Sequence, residues 1–292
     1  MRVLVTGAGG PAGRSLGEQL VARGVAVVGC DMQPQPSSTF PVHEVLPAQH
    51  PRFVPELEHL ARREGVDLVV PTVSEELVVL AGLGPVPGAG RGVSVAVSPL
   101  GAVVSAADKL LTCRALRAHG VAVPRFARGP EVLTHGDAVA RLGWPYLSKP
   151  RVGRGGRGVR VHRPDRDAAT GYGEDVLLQE FVTGTEYAVD LYVGGAGDPV
   201  VVVLEKTRLA QGEVGNAVGV RRVSAPDVAE TAASAAAALG LTGAVDVDVR
   251  LRSDRTSVVL EINARFGAHS AHVPELLDAL LAEHGRPAHL VG

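Results

Sequence analysis

Two runs, Ala244-Val-Asp-Val-Asp-Val-Arg-Leu251 and Val258-Val-Leu-Glu-Ile-Asn263, alternate apolar and polar residues on either side of a short polar stretch. That alternation is the period of β-strands with one buried face, and the polar stretch joins them as a hairpin. A turn centred between Asp254 and Arg255 sets residues whose numbers sum to 509 opposite each other, so Asp248 meets Glu261 and Asp246 meets Asn263. These four share one face, while Val247, Val249 and Leu251 meet Ile262, Leu260 and Val258 on the other. Asp254-Arg255 is not a favoured two-residue turn, and a longer loop of the same symmetry preserves the pairing. Carboxylates about 4 Å apart repel by roughly 4 kcal/mol at an effective dielectric near 20. A purely structural hairpin avoids that cost. A hard divalent cation relieves it, and carboxylate and amide oxygens without His or Cys suit Mg2+. The competing reading is a solvated face whose acids pair with Arg250 and Arg252.

Upstream, Pro145-Tyr-Leu-Ser-Lys149-Pro runs into Arg151-Val-Gly-Arg-Gly-Gly-Arg-Gly158, a strand followed by a glycine loop and a second strand. Gly153, Gly155, Gly156 and Gly158 let backbone N–H groups approach phosphate oxygens, and Lys149 adds a point charge. The G-K-[ST] ending of a Walker A loop is absent. Arginines at 151, 154, 157 and 160 carry no interleaved aromatics, which argues against nucleic acid. The run Val176 to Phe181-Val182 breaks at Gly184 and restarts at Glu186. Backbone groups at such a break can pair with an adenine edge, and the carboxylate beyond it with ribose hydroxyls. A plain β-turn with surface acids fits the same residues.

The first hundred residues alternate strand and helix, which implies a parallel sheet with right-handed crossovers. From about Arg125 the strands come as hairpin-like runs with helices beside them. The fold class is therefore α/β at the front and α+β behind. A length of 292 residues allows two or three compact units, and a net charge of -2 with 46% hydrophobic residues suits a soluble protein. No apolar run reaches the roughly 18 residues of a membrane span, the start is not a signal peptide, and two cysteines make no disulfide framework. A cytoplasmic location follows as the expectation. Of 29 basic residues only Lys109, Lys149 and Lys206 are lysines, so the positions that keep a compact ammonium stand out.

Together these pieces resemble the ATP-grasp superfamily, in particular stand-alone ligases like the large chain of carbamoyl-phosphate synthetase. The resemblance rests on the Asp108-Lys109 helix, Ser148-Lys149-Pro with its glycine loop, the Gln179 to Glu186 break, and Glu261-Ile-Asn-Ala-Arg-Phe-Gly267 with Asp248 thirteen residues upstream. It implies an ATP-grasp fold with a Rossmann-like front domain at 1–98, a small lobe at 99–183 and a C-terminal lobe with the metal site at 184–292. It implies ATP and two Mg2+ ions, with Mn2+ as a substitute, and ligation of a small carboxylate to an amine through an acyl phosphate. Formation of carboxyphosphate or carbamoyl phosphate is the alternative. By the same resemblance Lys109, Lys149 and the loop Gly153, Gly155, Gly156 and Gly158 would hold the phosphates. Gln179, Glu180, Phe181 and Val182 would read adenine, and Glu186 the ribose. Asp248, Glu261 and Asn263 would hold the metals, and Arg265, Lys206 and Arg208 would stabilise charge at the reacting centre. No membrane or nucleic-acid partner is implied; a homodimer is left open. Ala264 stands where the family often has proline, and Gly267-Ala-His-Ser replaces a more glycine-rich continuation, which puts the acceptor pocket in question.

Other features pull elsewhere. Thr6-Gly-Ala-Gly-Gly-Pro-Ala-Gly13 with Asp31 imitates a dinucleotide fingerprint, so an NAD(P)-dependent oxidoreductase or epimerase is the rival enzyme; no Tyr-x-x-x-Lys pair supports it. A non-catalytic ATP-binding scaffold would have lost the metal carboxylates. His269 and His272 have the spacing of a zinc pair without a third ligand. Ser74, Glu75 and Glu76, after a parallel strand, are candidates for meeting a substrate amino group, with helix capping and dipole pairing as the neutral readings.

Overall fold

The computed structural model describes residues 1–33, 39–83, 93–153, 155–163, 171–195, 197–210, 212 and 215–285. Arg154, Gln211, Glu213 and most of the Gly82 to Gly92 loop lie outside the described residues.

The front unit runs β1 (Arg2–Thr6), α1 (Pro11–Ala22), β2 (Ala26–Asp31), β3 (Val42–Glu44), α2 (Phe53–Glu64), β4 (Leu68–Val70), α3 (Ser74–Leu83) and β5 (Ser94–Val95). Its strands form a parallel sheet in the order β3-β2-β1-β4-β5. The apolar centres of β1, β2 and β4 are buried between helices on both faces, as a parallel sheet requires. The short edge strands β3 and β5 escape sequence reading because neither has enough residues to show a period.

Helices α4 (Leu100–Ala107) and α5 (Lys109–Ala118) lead to a small lobe of β6 (Phe126–Arg128), α6 (His135–Leu142), β7 (Tyr146–Pro150), β8 (Arg160–His162) and β9 (Val176–Glu180). Its antiparallel sheet has the order β6-β9-β7-β8 and its own core around Tyr146, Leu142 and Leu178. Helix α6, absent from the sequence reading, starts at a capping box: Thr134 Oγ1 accepts from Asp137 N, and the Asp137 carboxylate accepts from Thr134 N.

The body follows as β10 (Thr185–Val193), β11 (Val200–Leu209), β12 (Ala217–Val223), α7 (Pro226–Leu239), β13 (Gly243–Leu251), β14 (Ser257–Asn263) and α8 (Pro274–His284). Its antiparallel sheet has the order β12-β11-β10-β13-β14. Odd-numbered residues Tyr187, Val189, Leu191, Val203, Val245, Val247 and Val249 pack against α7, α4 and α5. Even-numbered residues take the other face. There Ala188, Tyr192, Val202 and Leu204 share one apolar core with α8 and with Val3, Val5, Leu16 and Leu20 of the front unit. Gly184 admits the chain to β10 at φ 134, where a Cβ would strike the Leu251 carbonyl.

The hairpin register corrects the sequence reading in part. Asp246 faces Asn263 and Asp248 faces Glu261, summing to 509 as expected. Nearer the turn the sum is 508: Val249 faces Val259, Arg250 faces Val258 and Leu251 faces Ser257. The turn is a three-residue loop, with Arg252 N donating to Thr256 O at 3.0 Å and Arg255 in the left-handed region at φ 67. A bulge between Asp248 and Val249 restores the offset. Val259, not Leu260, therefore joins the core, and Leu260 turns to the opposite side.

Candidate active site

The even-numbered face of the body sheet carries three cross-strand rows. The first is Lys206, Glu186 and Arg250: Lys206 Nζ lies 2.8 Å from Glu186 Oε1, and Arg250 forms an ion pair with Glu186 Oε2. The second is Ala188, Asp248 and Glu261, where the small Ala188 leaves space beside the acids. The third is Asp190, Asp246 and Asn263. Over these rows opens a cleft of about 490 Å³, walled by the small lobe, the glycine loop and the carboxyl ends of the front strands.

Asp248 and Glu261 do not pair with Arg250 or Arg252, as a solvated structural face would have them. Lys206 Nζ sits 2.5 Å from Asp248 Oδ1, and Lys109 Nζ 3.1 Å from Glu261 Oε1. Arg250 is spent on Glu186 and the Val182 carbonyl, and Arg252 on Glu180 at 2.9 Å. Lys149 is buried, which lowers its pKa against the pull of Glu261, and its Nζ points to the Leu260 carbonyl at 3.4 Å, beside the bulge. All three lysines thus converge on the acidic strands.

The donor set fits a hard cation. Asp248 and Glu261 keep about a quarter of their side-chain surface exposed to the cleft. Asn263 Nδ2 donates to Asp246 Oδ2 at 3.4 Å, which assigns its nitrogen and leaves the amide oxygen as a ligand atom. No group of three or more His, Cys, Asp or Glu side chains capable of holding a metal occurs among the described residues. Two carboxylates and an amide match the way Mg2+ is bound, with nucleotide phosphates and water completing its shell.

The base of the glycine loop is anchored to α5. Asp108 caps that helix, accepting from Leu110 N at 2.9 Å, and pairs with Arg151 Nε at 3.2 Å; Lys109 Nζ donates to Gly153 O at 2.8 Å. Burial would raise the Asp108 pKa, but Arg151 and the helix amides hold it below the ordinary carboxylate value. Gly155 and Gly156 line the cleft; Gly153 and Gly158 flank the loop without lining it.

On the opposite wall Gln179, Glu180 and Val182 line the cleft with Leu147 and Leu260. The Gln179 amide is buried and directed at Cys113 Sγ, 3.7 Å away. The Glu180 carboxylate is held by Arg252 and Arg125. Only backbone groups of these two residues are available to a base edge. The Phe181 ring packs near the Arg250 guanidinium at 5.8 Å and does not line the cleft. Arg208 is exposed and lies outside the lining, separated from Lys206 by a register irregularity with β12.

Arg265 closes the far end. Its Nη1 donates to Phe266 O at 2.8 Å and lies 3.5 Å from Asp246 Oδ2, and its Nε donates to Ser74 Oγ at 3.2 Å. Ser74 therefore meets a site arginine as well as opening α3. Glu75 and Glu76 line the cleft, and Glu76 accepts from the Thr6 hydroxyl. His269 lines the cleft while His272 stands 6.3 Å from it, ring to ring; burial and the nearby Lys206 lower the His269 pKa. In the front glycine loop Asp31 is already engaged, accepting from Gly9 N at 2.9 Å and Gln33 N at 3.0 Å.

Asp190 was missed in the sequence, although it lies four residues beyond Glu186 on the same strand face. Burial and Asp246 raise its pKa well above the ordinary value; the Gly267 amide and Arg265 oppose the effect. Asp246 is pushed up to about 6 by burial and by Asp248, against Arg265 and Lys206.

A parallel α/β front unit, a small antiparallel lobe and an antiparallel body that enclose one charged cleft make up the ATP-grasp ligase fold. A family model described as ATP-grasp domain matches residues 106–269, more than half of the chain, and the chain belongs to that family. Solved structures agree on the fold. Carboxyaminoimidazole ribonucleotide synthase from Aspergillus clavatus, complexed with ATP, superposes with a TM-score of 0.73 at 19% identity, over 98% of this chain and 77% of that one. N5-carboxyaminoimidazole synthetase from Staphylococcus aureus, complexed with ADP, gives 0.72 at 16% identity, over 98% and 78%. L-amino acid ligase from Bacillus licheniformis gives 0.65 at 16%, over 93% and 69%. No curated protein matches the chain significantly. No helix among the described residues is long and apolar enough to cross a membrane.

Proposed function

We propose that the chain is an ATP-dependent ligase that activates a small carboxylate as an acyl phosphate and transfers the acyl group to an amine. The observation that carries this reading is the middle row, Ala188-Asp248-Glu261, with a lysine already on each carboxylate. The paired lysines offset the charge of these two carboxylates. When a nucleotide arrives with its metal, Lys206, Lys109 and Lys149 can exchange carboxylate partners for phosphate oxygens. Asp248, Glu261 and Asn263 would hold Mg2+, which when bound shields the phosphates from an incoming anion.

The remaining roles follow from position. Leu147, Leu260 and Val182 offer an apolar slot for adenine beside the backbone of Glu180, and Gly155 and Gly156 close over the phosphates. A substrate carboxylate oxygen attacks the γ-phosphorus, the bond to the β-phosphate oxygen breaks, and ADP leaves. An amine then attacks the acyl carbon, and phosphate departs with loss of one proton from nitrogen. Arg265, fixed by Ser74 and the Phe266 carbonyl, faces the oxyanion of that step. The enzyme incubated with MgATP, hydroxylamine and a panel of twenty L-amino acids should release ADP together with an acyl hydroxamate of at least one donor. ATP turnover that needs NAD(P)H, or no nucleotide-dependent product with any donor, overturns the reading.

A second reading shares the site. The names of two similar structures denote carboxyaminoimidazole synthesis, which favours carboxyphosphate as the activated species. ADP release that depends on bicarbonate, in the absence of any other carboxylate, selects it.

A further inference from the structure

In the third row of the site face only Asn263 has a part in holding the nucleotide, through its metal; Asp190 and Asp246 have none. Asp190 and Asp246 stand directly opposite each other on β10 and β13, and both line the cleft. Asp190 is 1% exposed, and neither of its carboxylate oxygens accepts a hydrogen bond of good geometry among the described residues. Buried carboxylates in a structural role are paired, because an unpaired one forfeits its hydration for nothing. Here two carboxylates share one close cation, Arg265, 3.5 Å from Asp246 Oδ2, the side-chain amide of Asn263, and the nearby backbone amide of Gly267. Asp31 and Glu75, which also line the cleft, add no positive charge.

When both carboxylates are ionised, the local balance is two negative charges against one positive, and a monocation that can donate several hydrogen bonds completes it. Room for it is kept by Gly267: a methyl group there would lie 2.6 Å from Asp190 Oδ1 and 3.1 Å from Asp246 Cγ. The position matters too. The pair adjoins Arg265, on the side of the metal row away from the adenine slot, where the nucleophile must approach an acyl group.

We infer that Asp190 and Asp246, uncovered by Gly267, form the subsite that takes the ammonium group of the amine substrate. The inference rests on the ligase reading above and names the class of acceptor: a protonated amine such as that of an amino acid, in place of a neutral amide. One carboxylate of the pair takes a proton from the ammonium so that the neutral amine attacks, and the second proton leaves as the amide forms.

The test lets amines compete with hydroxylamine, which is uncharged at pH 7.5. With the best donor fixed, each of the twenty L-amino acids and its deaminated counterpart is added, and mass spectrometry reads the ratio of donor–amino acid amide to donor hydroxamate. The wild-type enzyme should give amide with at least one amino acid and no product with its deaminated counterpart. Asp190→Asn and Asp246→Asn should lower the ratio tenfold or more, and Gly267→Ala should do the same by filling the space. Thermal melts check folding, and both Asn variants should melt at or above the wild-type temperature, since each removes charge repulsion. A ratio unchanged in all three variants, or no amide with any amino acid while hydroxamate forms, overturns the inference. Absence of hydroxamate altogether overturns the ligase reading instead. Asn variants that melt well below the wild type would show the pair to be structural.

Discussion

Asp248 and Glu261 carry the sharpest consequence at the level of single residues. Each is tied to a lysine yet keeps a share of its surface in the cleft. Asp248→Asn and Glu261→Gln preserve shape and remove the anionic ligand. Each should lower the rate of ADP formation by about two orders of magnitude, because charge shielding of the phosphates is lost. Stability should change little in Asp248→Asn, since Lys206 retains Glu186 as its partner. A coupled ADP assay beside a thermal melt separates the two effects. The three lysines stood out in composition, because a chain that otherwise uses arginine retains lysine at Lys109, Lys149 and Lys206, and the resemblance supplied their place at the site. What could not be read was their partners: ion pairs such as Lys206 with both Glu186 and Asp248 join three strands whose order only the folded sheet sets.

At the level of elements the β13–β14 hairpin shows two one-residue offsets that cancel. The loop at Ser253 to Arg255 sets one register, and the bulge at Leu260 resets it before the acidic residues are reached. The alternation of Asp246, Asp248, Glu261 and Asn263 is strong enough to give the pairing at the metal end. It is silent about the bulge, because Leu260 is apolar and serves equally as a core residue or as a wall of the cleft. Arg255 holds a left-handed conformation at φ 67, which costs an L-residue other than glycine roughly 1–2 kcal/mol. Arg255→Gly should therefore stabilise the protein by about 0.5–1 kcal/mol after the entropy lost by glycine is counted. The exposed Arg255–Asp227 pair that it removes contributes little. Urea melts measure the change, and a variant less stable than wild type would show that the ion pair outweighs the backbone cost. The same limit on sequence reading explains β12 and α6. Ala217–Val223 is an edge strand with no continuous apolar face, and the Thr134 to Asp137 capping box precedes a helix of only eight residues.

Across the whole molecule, the front unit and the body are held by one apolar core. Leu276, Leu277 and Leu280 of α8 pack in the cluster that also contains Val3, Val5, Leu16 and Leu20. Polar contacts reinforce it, with Arg23 Nε 2.8 Å from Asp278 Oδ1 and Ser98 Oγ donating to Thr242 O at 2.7 Å. The two should unfold together. Leu276→Ala should cost about 2–5 kcal/mol, and native-state hydrogen exchange should show protection falling in β1 and β4 as well as in α8. Loss confined to α8 would mean that the front unit is stable without the body. The alternation of strand and helix announced the front sheet. Its attachment was hidden, because an apolar face on α8 does not say which neighbour will cover it.

The small lobe stands apart from this weld, with a core around Tyr146, Leu142 and Leu178 of its own. On the ligase reading proposed above, the acceptor side of the cleft is built into the shared apolar core, while the adenine side belongs to a lobe joined to the body by contacts such as Arg252 with Glu180 and Arg250 with the Val182 carbonyl. The two ends of one reaction are thus assigned to two separately packed parts of the molecule.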